Sequence, residues 1–178
     1  MVHGNKVLVA NSPMKGEDSD AVITNQPNVF ACVSIADCTP VLIYDVKNKA
    51  VAAIHAGWRG TAANIVTETL KAMQTNYGTK GDDCLAFIGA CIGEQNFEVG
   101  EEVAVKFKAE VKRFDTEKKK YFVDLKKENK NQLLQFGLKE SNIEVSNYCT
   151  IAHNDKFFSY RKEKGVTGRM LAVIGIKE

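Results

Sequence analysis

Residues Ala36 to Thr61 read ADCTPVLIYDVKNKAVAAIHAGWRGT, and this stretch decides the architecture of the chain. An apolar run from Pro40 to Tyr44 is followed by a polar turn, Asp45 to Lys49, and by a second apolar run, Ala50 to Ile54. Two short apolar runs joined by a polar turn predict an antiparallel hairpin, which sets its outer ends side by side. Cys38 stands just before the first strand and His55 just after the second, so the hairpin draws a thiol and an imidazole together. Both are ligands for soft-to-borderline metals.

Working outward, Val7 to Ala10 (VLVA) predicts a strand, and Asn11 to Asp20, with Pro13, Gly16 and several acids, predicts a loop. Ala21 to Thr24 is a short strand, and the continuous apolar run Val29 to Ile35 reads as a buried one. Downstream of the hairpin, Gly57-Trp58-Arg59-Gly60-Thr61 forms a glycine-flanked turn. Thr61 is expected to cap a helix running from Ala62 to Tyr77, where Ile65, Val66, Thr69, Leu70 and Met73 recur at helical spacing. Cys84 to Ile88 predicts a buried strand, Val99 to Phe114 a helix, Tyr121 to Leu125 a short strand, and Leu125 to Phe136 a helix closed by Gly137. Ile143 to Val145, Phe157 to Arg161 and Met170 to Ile176 are read as the remaining strands. Strands dominate the front of the chain, with helices between them. The expected class is therefore α+β, a single domain over residues 1–178 with mixed β-sheets packed against helices.

Composition narrows the function classes. Apolar residues make up 44% of the chain and charged residues 26%, as in a folded globular protein. A net charge of +2 does not point to a nucleic-acid partner. No apolar run has the length of a membrane helix, and the opening MVHGNKV lacks a secretory signal pattern. Five cysteines without framework spacing are read as reduced thiols of a cytoplasmic protein.

Three candidate metal ligands stand out: His3, Cys38 and His55. Two imidazoles and a thiolate suit a catalytic zinc site, which keeps an open fourth position. The hairpin accounts for Cys38 and His55, but no spacing forces His3 to join them. The competing reading is a buried free cysteine beside a hydrogen-bonded core histidine. Arg59, between Gly57 and Gly60, suits a phosphate or carboxylate clamp, or equally a surface ion pair. Trp58 either stacks on an aromatic ligand or packs in the core. Cys149 and His153 admit a nucleophile reading that nothing local supports.

Several longer pieces are specific: VHG (Val2 to Gly4), SDAVIT (Ser19 to Thr24), ADCTPVLIYD (Ala36 to Asp45), HAGWRGT (His55 to Thr61), IGACIG (Ile88 to Gly93) and FEVGEEV (Phe97 to Val103). With the tail FFSYRKEKGVTGRMLAVI (Phe157 to Ile174), they make the chain resemble the YfiH family, also called the laccase-domain or polyphenol oxidase family. The resemblance implies a layered α+β sandwich and a zinc site on His3, Cys38 and His55, with copper as the alternative metal. It also implies purine nucleoside phosphorylase activity on adenosine, inosine, guanosine and methylthioadenosine, plus adenosine deamination. Asp37 and Arg59 are then the candidate catalytic residues, and Gly57, Trp58, Arg59 and Gly60 the candidate substrate contacts. The alternative activity is copper-dependent oxidation of phenols. That asks for many histidines, and the chain has three, with only His153 outside the zinc set. Family members usually carry several dozen residues ahead of the histidine of VHG, where this chain has Met1 and Val2, so it reads as short at its amino end. Ala90 stands where the family commonly has proline.

Overall fold

The computed structural model describes residues 3–12 and 18–177. Val2 of the VHG piece and residues 13–17 of the expected loop lie outside that range. The hairpin forms as expected: β4 (Thr39–Asp45) pairs antiparallel with β5 (Ala50–Ala56), with Pro40 opposite His55 and Asp45 opposite Ala50. Asp45 sets the turn, accepting backbone N–H bonds from Lys47 and Asn48, each at 3.0 Å. Lys49 adopts the left-handed conformation that closes it.

The hairpin is the middle of a six-stranded mixed sheet ordered β1-β2-β5-β4-β6-β10. Its other members are β1 (Val7–Val9), β2 (Ala21–Thr24), β6 (Cys84–Ile88) and β10 (Ile143–Val145). Pairing is parallel for β1 with β2 and for β6 with β10, and antiparallel between. Both faces of this sheet are covered, which is why every residue of β5 is buried and why its sequence does not alternate. On one face lie α2 (Ile65–Tyr77) and α4 (Leu125–Phe136), whose Ile65, Leu70, Met73 and Leu133 pack on Ile23, Ile43, Ile54 and Ile88. Burying each of these side chains stabilises the fold by about 1.5–3 kcal/mol. On the other face lies a two-stranded sheet of β3 (Phe30–Ile35) and β11 (Met170–Gly175), touching the main sheet through Ala31, Val33, Ala53 and Leu42. The class is thus α+β with mixed sheets in layers, as read from the sequence.

Three expectations need correction. The helix after the hairpin is broken: α1 (Trp58–Ala62) ends before Asn64, whose left-handed backbone starts α2. Thr61 lies inside α1 rather than capping a helix. It is buried, and its hydroxyl contacts Ala56 O at 3.3 Å and Asn129 at 3.2 Å. Residues 99–114 are not one helix. They divide into β7 (Glu98–Val99), α3 (Glu101–Ala104), a short 3-10 turn and β8 (Lys112–Asp115). Valines at positions 99, 103 and 111 imitate helical spacing. They pack in one apolar cluster from a strand, a short helix and a 3-10 turn instead, and β9 (Lys120–Val123) supplies the pairing partner for β7 and β8. Finally, Phe157 to Arg161 form turns instead of a strand. The backbone donors there go to carboxylates: Ser159 N–H to Glu163 at 2.9 Å and Arg161 N–H to Asp37 at 2.7 Å.

The small sheet β7-β9-β8 carries its own cluster, in which Ile92, Phe97, Val99, Phe107, Val123 and Leu125 pack with half-buried Trp58. Where the open end of the hairpin meets this cluster, the amino-terminal segment and the turns before β11, a cavity opens.

Candidate metal centre and its cavity

The ligand atoms of His3, Cys38 and His55 all lie within 4.8 Å of one another. Each arrives from a different piece of local structure. His55 is held by the central strand β5, at 3% exposure, and its backbone N–H donates to Asp20 O at 2.7 Å. Cys38 leaves β4 from the neighbouring register position. His3 is exposed and sits in the left-handed region, with φ of 56°. That backbone is pinned by one buried carboxylate: Asp20 accepts N–H bonds from His3 at 2.9 Å and Gly4 at 2.7 Å. The same carboxylate lies 3.5 Å from His55 Nδ1. A carboxylate behind one ring nitrogen orients an imidazole and leaves the other nitrogen for a metal. The two imidazoles stand edge to face at 5.0 Å.

Two glycines make the arrangement possible. A side chain at Gly57 would start 3.1 Å from Cys38 Sγ and 3.6 Å from both histidine rings, so its missing Cβ leaves space facing all three donors. At Gly60, a Cβ would lie 2.6 Å from Gly4 O, so only glycine lets the segment carrying His3 pass this close. Tetrahedral zinc holds its nitrogen and sulfur ligands about 3.5 Å apart, so the triangle needs to contract by little more than an ångström. The donor set and the space fit such an ion.

Electrostatics agree. Burial, then Asp37 and Asp20, push the Cys38 thiol up to about 11, against an opposing pull from Arg169. A free thiol there stays protonated, and a bound dication would ionise it. Burial, then the neighbouring His3, hold the His55 imidazole below its ordinary value despite Asp20, which keeps it in the neutral, ligating form.

The triad opens into a cavity of about 420 Å³, lined also by Trp58, Phe97, Tyr160 and three arginines, Arg59, Arg161 and Arg169. That volume lies in the range of small-molecule sites. Arg59 projects from α1, exposed, with its guanidinium 4.3 Å above the Trp58 ring. Asp37, the residue before Cys38, is nearly buried and strained at φ of 84°. Its Oδ1 accepts from Thr150 Oγ1 at 2.5 Å and Ser159 Oγ at 2.7 Å, and its Oδ2 from Arg161 N–H. Asp37 therefore ties the turns of residues 150–161 to the metal-side strand.

Asp20, Arg161 and Arg169 were not assigned to the site from sequence. The signal for Asp20 was an acid directly before a buried strand in SDAVIT, a place where an uncompensated charge is costly. The Cys149–His153 pair does not form a nucleophile and base. His153 Nδ1 contacts the Cys149 backbone, while Cys149 Sγ accepts from Gly93 N–H at 3.2 Å and Asn96 at 3.4 Å.

This is an α+β scaffold built around a three-donor His/Cys/His cluster on a hairpin mouth. The chain belongs to the laccase-like YfiH family, whose model, described as multi-copper polyphenol oxidoreductase laccase, matches residues 1–177. It is 43% identical over 182 residues to a purine nucleoside phosphorylase of Bacteroides thetaiotaomicron, covering 97% of this chain and 67% of that protein. It is 36% identical to the purine nucleoside phosphorylase YlmD of Bacillus subtilis, covering 90% of this chain and 59% of that one. Among solved structures, YlmD from Geobacillus stearothermophilus superposes with a TM-score of 0.92 at 32% identity, covering 99% of this chain and 72% of the other. The chain thus spans roughly three-fifths to two-thirds of the length of these two curated relatives.

Proposed function

We propose that this chain carries the active site of a zinc-dependent purine nucleoside phosphorylase of broad range. Its substrates would be adenosine, inosine, guanosine and S-methyl-5′-thioadenosine, and it would also deaminate adenosine. The observation that carries this reading is the His3/Cys38/His55 cluster facing one cavity that also holds aromatic rings and three guanidiniums. Phosphorolysis joins a phosphate oxygen to C1′ of the ribose as the bond from C1′ to the purine nitrogen breaks, through an oxocarbenium-like state. An anion must be held beside a sugar, and a purine must be held flat. Arg59, next to Gly57 and Gly60, suits the anion, and Trp58 and its neighbours suit the base. Asp37, with both oxygens engaged by Thr150, Ser159 and Arg161, serves as a positioning residue. When bound, zinc supplies Lewis-acid chemistry at an open coordination position.

The family description favours a second reading, copper-dependent oxidation of phenols. A His/Cys site binds copper(II) more tightly than zinc, so copper is the alternative metal. The test is a paired assay: base release from inosine with zinc and phosphate, against phenol oxidation with copper. Base release that needs phosphate supports the first reading. Phenol turnover without base release overturns it.

A further inference from the structure

Phosphorolysis as proposed above needs a holder for a doubly charged anion, and one guanidinium compensates half of that charge. The cavity supplies two more on its C-terminal wall. Among the described residues, none of Arg59, Arg161 and Arg169 forms an ion pair with a carboxylate, whereas Arg113, outside the cavity, pairs with Glu94 and Asp115. The three differ in how they are held. Arg59 lies on the rim, since it also borders a second groove with Ala62, Ala63 and Lys106. Arg161 leans over the Phe97 ring at 5.8 Å, one N–H reaching Glu98 O at 3.5 Å, and its backbone is fixed by Asp37. Arg169 spends one guanidinium nitrogen on the carbonyls of Thr167 (3.0 Å) and Gly168 (2.9 Å), which leaves its other donors for a ligand. It lines the same cavity as His3, Cys38 and His55.

We propose that Arg161 and Arg169 form the subsite that holds inorganic phosphate in the cavity they share with His3, Cys38 and His55, with Arg59 closing the rim. Two guanidiniums lining one cavity offer planar, two-point donors to tetrahedral phosphate oxygens and match its charge. Phosphate held there keeps one oxygen free to bond C1′. The purine leaves with the electron pair of the broken bond and takes up a proton from hydrogen phosphate or water, with no change of oxidation state. Asp37 acts through Arg161, by fixing the backbone from which that side chain extends.

The inference rests on the phosphorylase reading, and a binding measurement separates the two. Inorganic phosphate is titrated calorimetrically into the zinc-loaded protein and into its Arg161→Gln, Arg169→Gln and Arg113→Gln variants, with zinc content measured in each. Arg161→Gln and Arg169→Gln are expected to weaken phosphate binding about tenfold or more, as for loss of a charge-assisted pair, with zinc content unchanged. Arg113→Gln should leave it unaltered. In steady-state assays the same two variants should raise KM for phosphate far more than KM for inosine. Phosphate binding that depends on both arginines without base release would retain the subsite and overturn the phosphorylase reading. Phosphate-dependent turnover whose KM ignores both substitutions would overturn the subsite alone. Failure of the wild-type protein to bind phosphate would overturn both.

Discussion

Replacing Asp20 by asparagine tests the metal centre through a residue that touches no metal. The Asp20 carboxylate accepts N–H bonds from His3 at 2.9 Å and Gly4 at 2.7 Å and lies 3.5 Å from His55 Nδ1. The amide keeps a single acceptor oxygen and turns an NH2 group toward the second backbone donor. At least one charge-assisted bond is lost, worth about 1.5–3 kcal/mol. The loss falls on the left-handed turn that delivers His3 and on the group that orients His55. Removing a carboxylate behind a ligating histidine weakens metal affinity by about 10–100-fold, or roughly 1.4–2.8 kcal/mol. One effect opposes this: without the Asp20 charge, Cys38 ionises more readily. Burial and Asp37 act on that thiol more strongly than Asp20 does, so the upward push on it remains. Competition with a chromogenic zinc chelator measures the affinity, and far-ultraviolet circular dichroism checks the fold. Zinc affinity within about twofold of wild type, in a folded variant, would refute the assignment of Asp20 as the residue that holds both histidines.

Four further outcomes are expected. Because the Cys38 thiol is pushed up to about 11 and His55 is held neutral, zinc uptake should release a proton from Cys38. Affinity should then rise about tenfold per pH unit between roughly pH 7 and 9, read by calorimetry in buffers of differing ionisation enthalpy. Gly60→Ala places a Cβ 2.6 Å from Gly4 O, so the segment carrying His3 must move, and zinc affinity should fall by about tenfold or more in chelator competition. Gln132→Ala removes the buried bond from Gln132 Nε2 to Thr61 O at 2.9 Å that docks α4 on α1, and urea denaturation should show a loss of about 1–3 kcal/mol. Asp37→Asn disturbs the acceptor of Arg161 N–H while Cys38 stays in place, so KM for phosphate should rise more than KM for inosine at constant zinc content.

What was legible in the sequence was local. The hairpin could be read because Asp45 writes its own turn and the flanking runs are short and apolar. The helix from Leu125 to Phe136 could be read because left-handed Gly137 stops it; the structure adds Asp124 as its cap, accepting from Lys127 N–H at 2.9 Å. Cys38 and His55 followed directly from strand register. His3 did not, because its place depends on Asp20, on the parallel pairing of β1 with β2, and on the gap at Gly60, none of which leaves a periodic trace. The resemblance to a family supplied that contact. The residues around Val99 and Val111 were misread because valines at helical spacing also fill the cluster packed with a small sheet whose partner strand comes later in the chain. Arg161 and Arg169 were not read as site residues because the place of Arg161 is set by a carboxylate more than a hundred positions away, and Arg169 is held by carbonyls of its own segment.

The cavity is stiff on one side and soft on the other. His55 belongs to the buried middle of the six-stranded sheet and half-buried Cys38 adjoins it, whereas Arg161 and Arg169 are exposed on segments outside the strands. Under mild denaturant the softer wall should come apart first, since segments with few buried contacts open below the global unfolding free energy. Such a protein would keep its ion after it had let go of its anion, and an inactive but still metal-loaded species would mark the first stage of its decay.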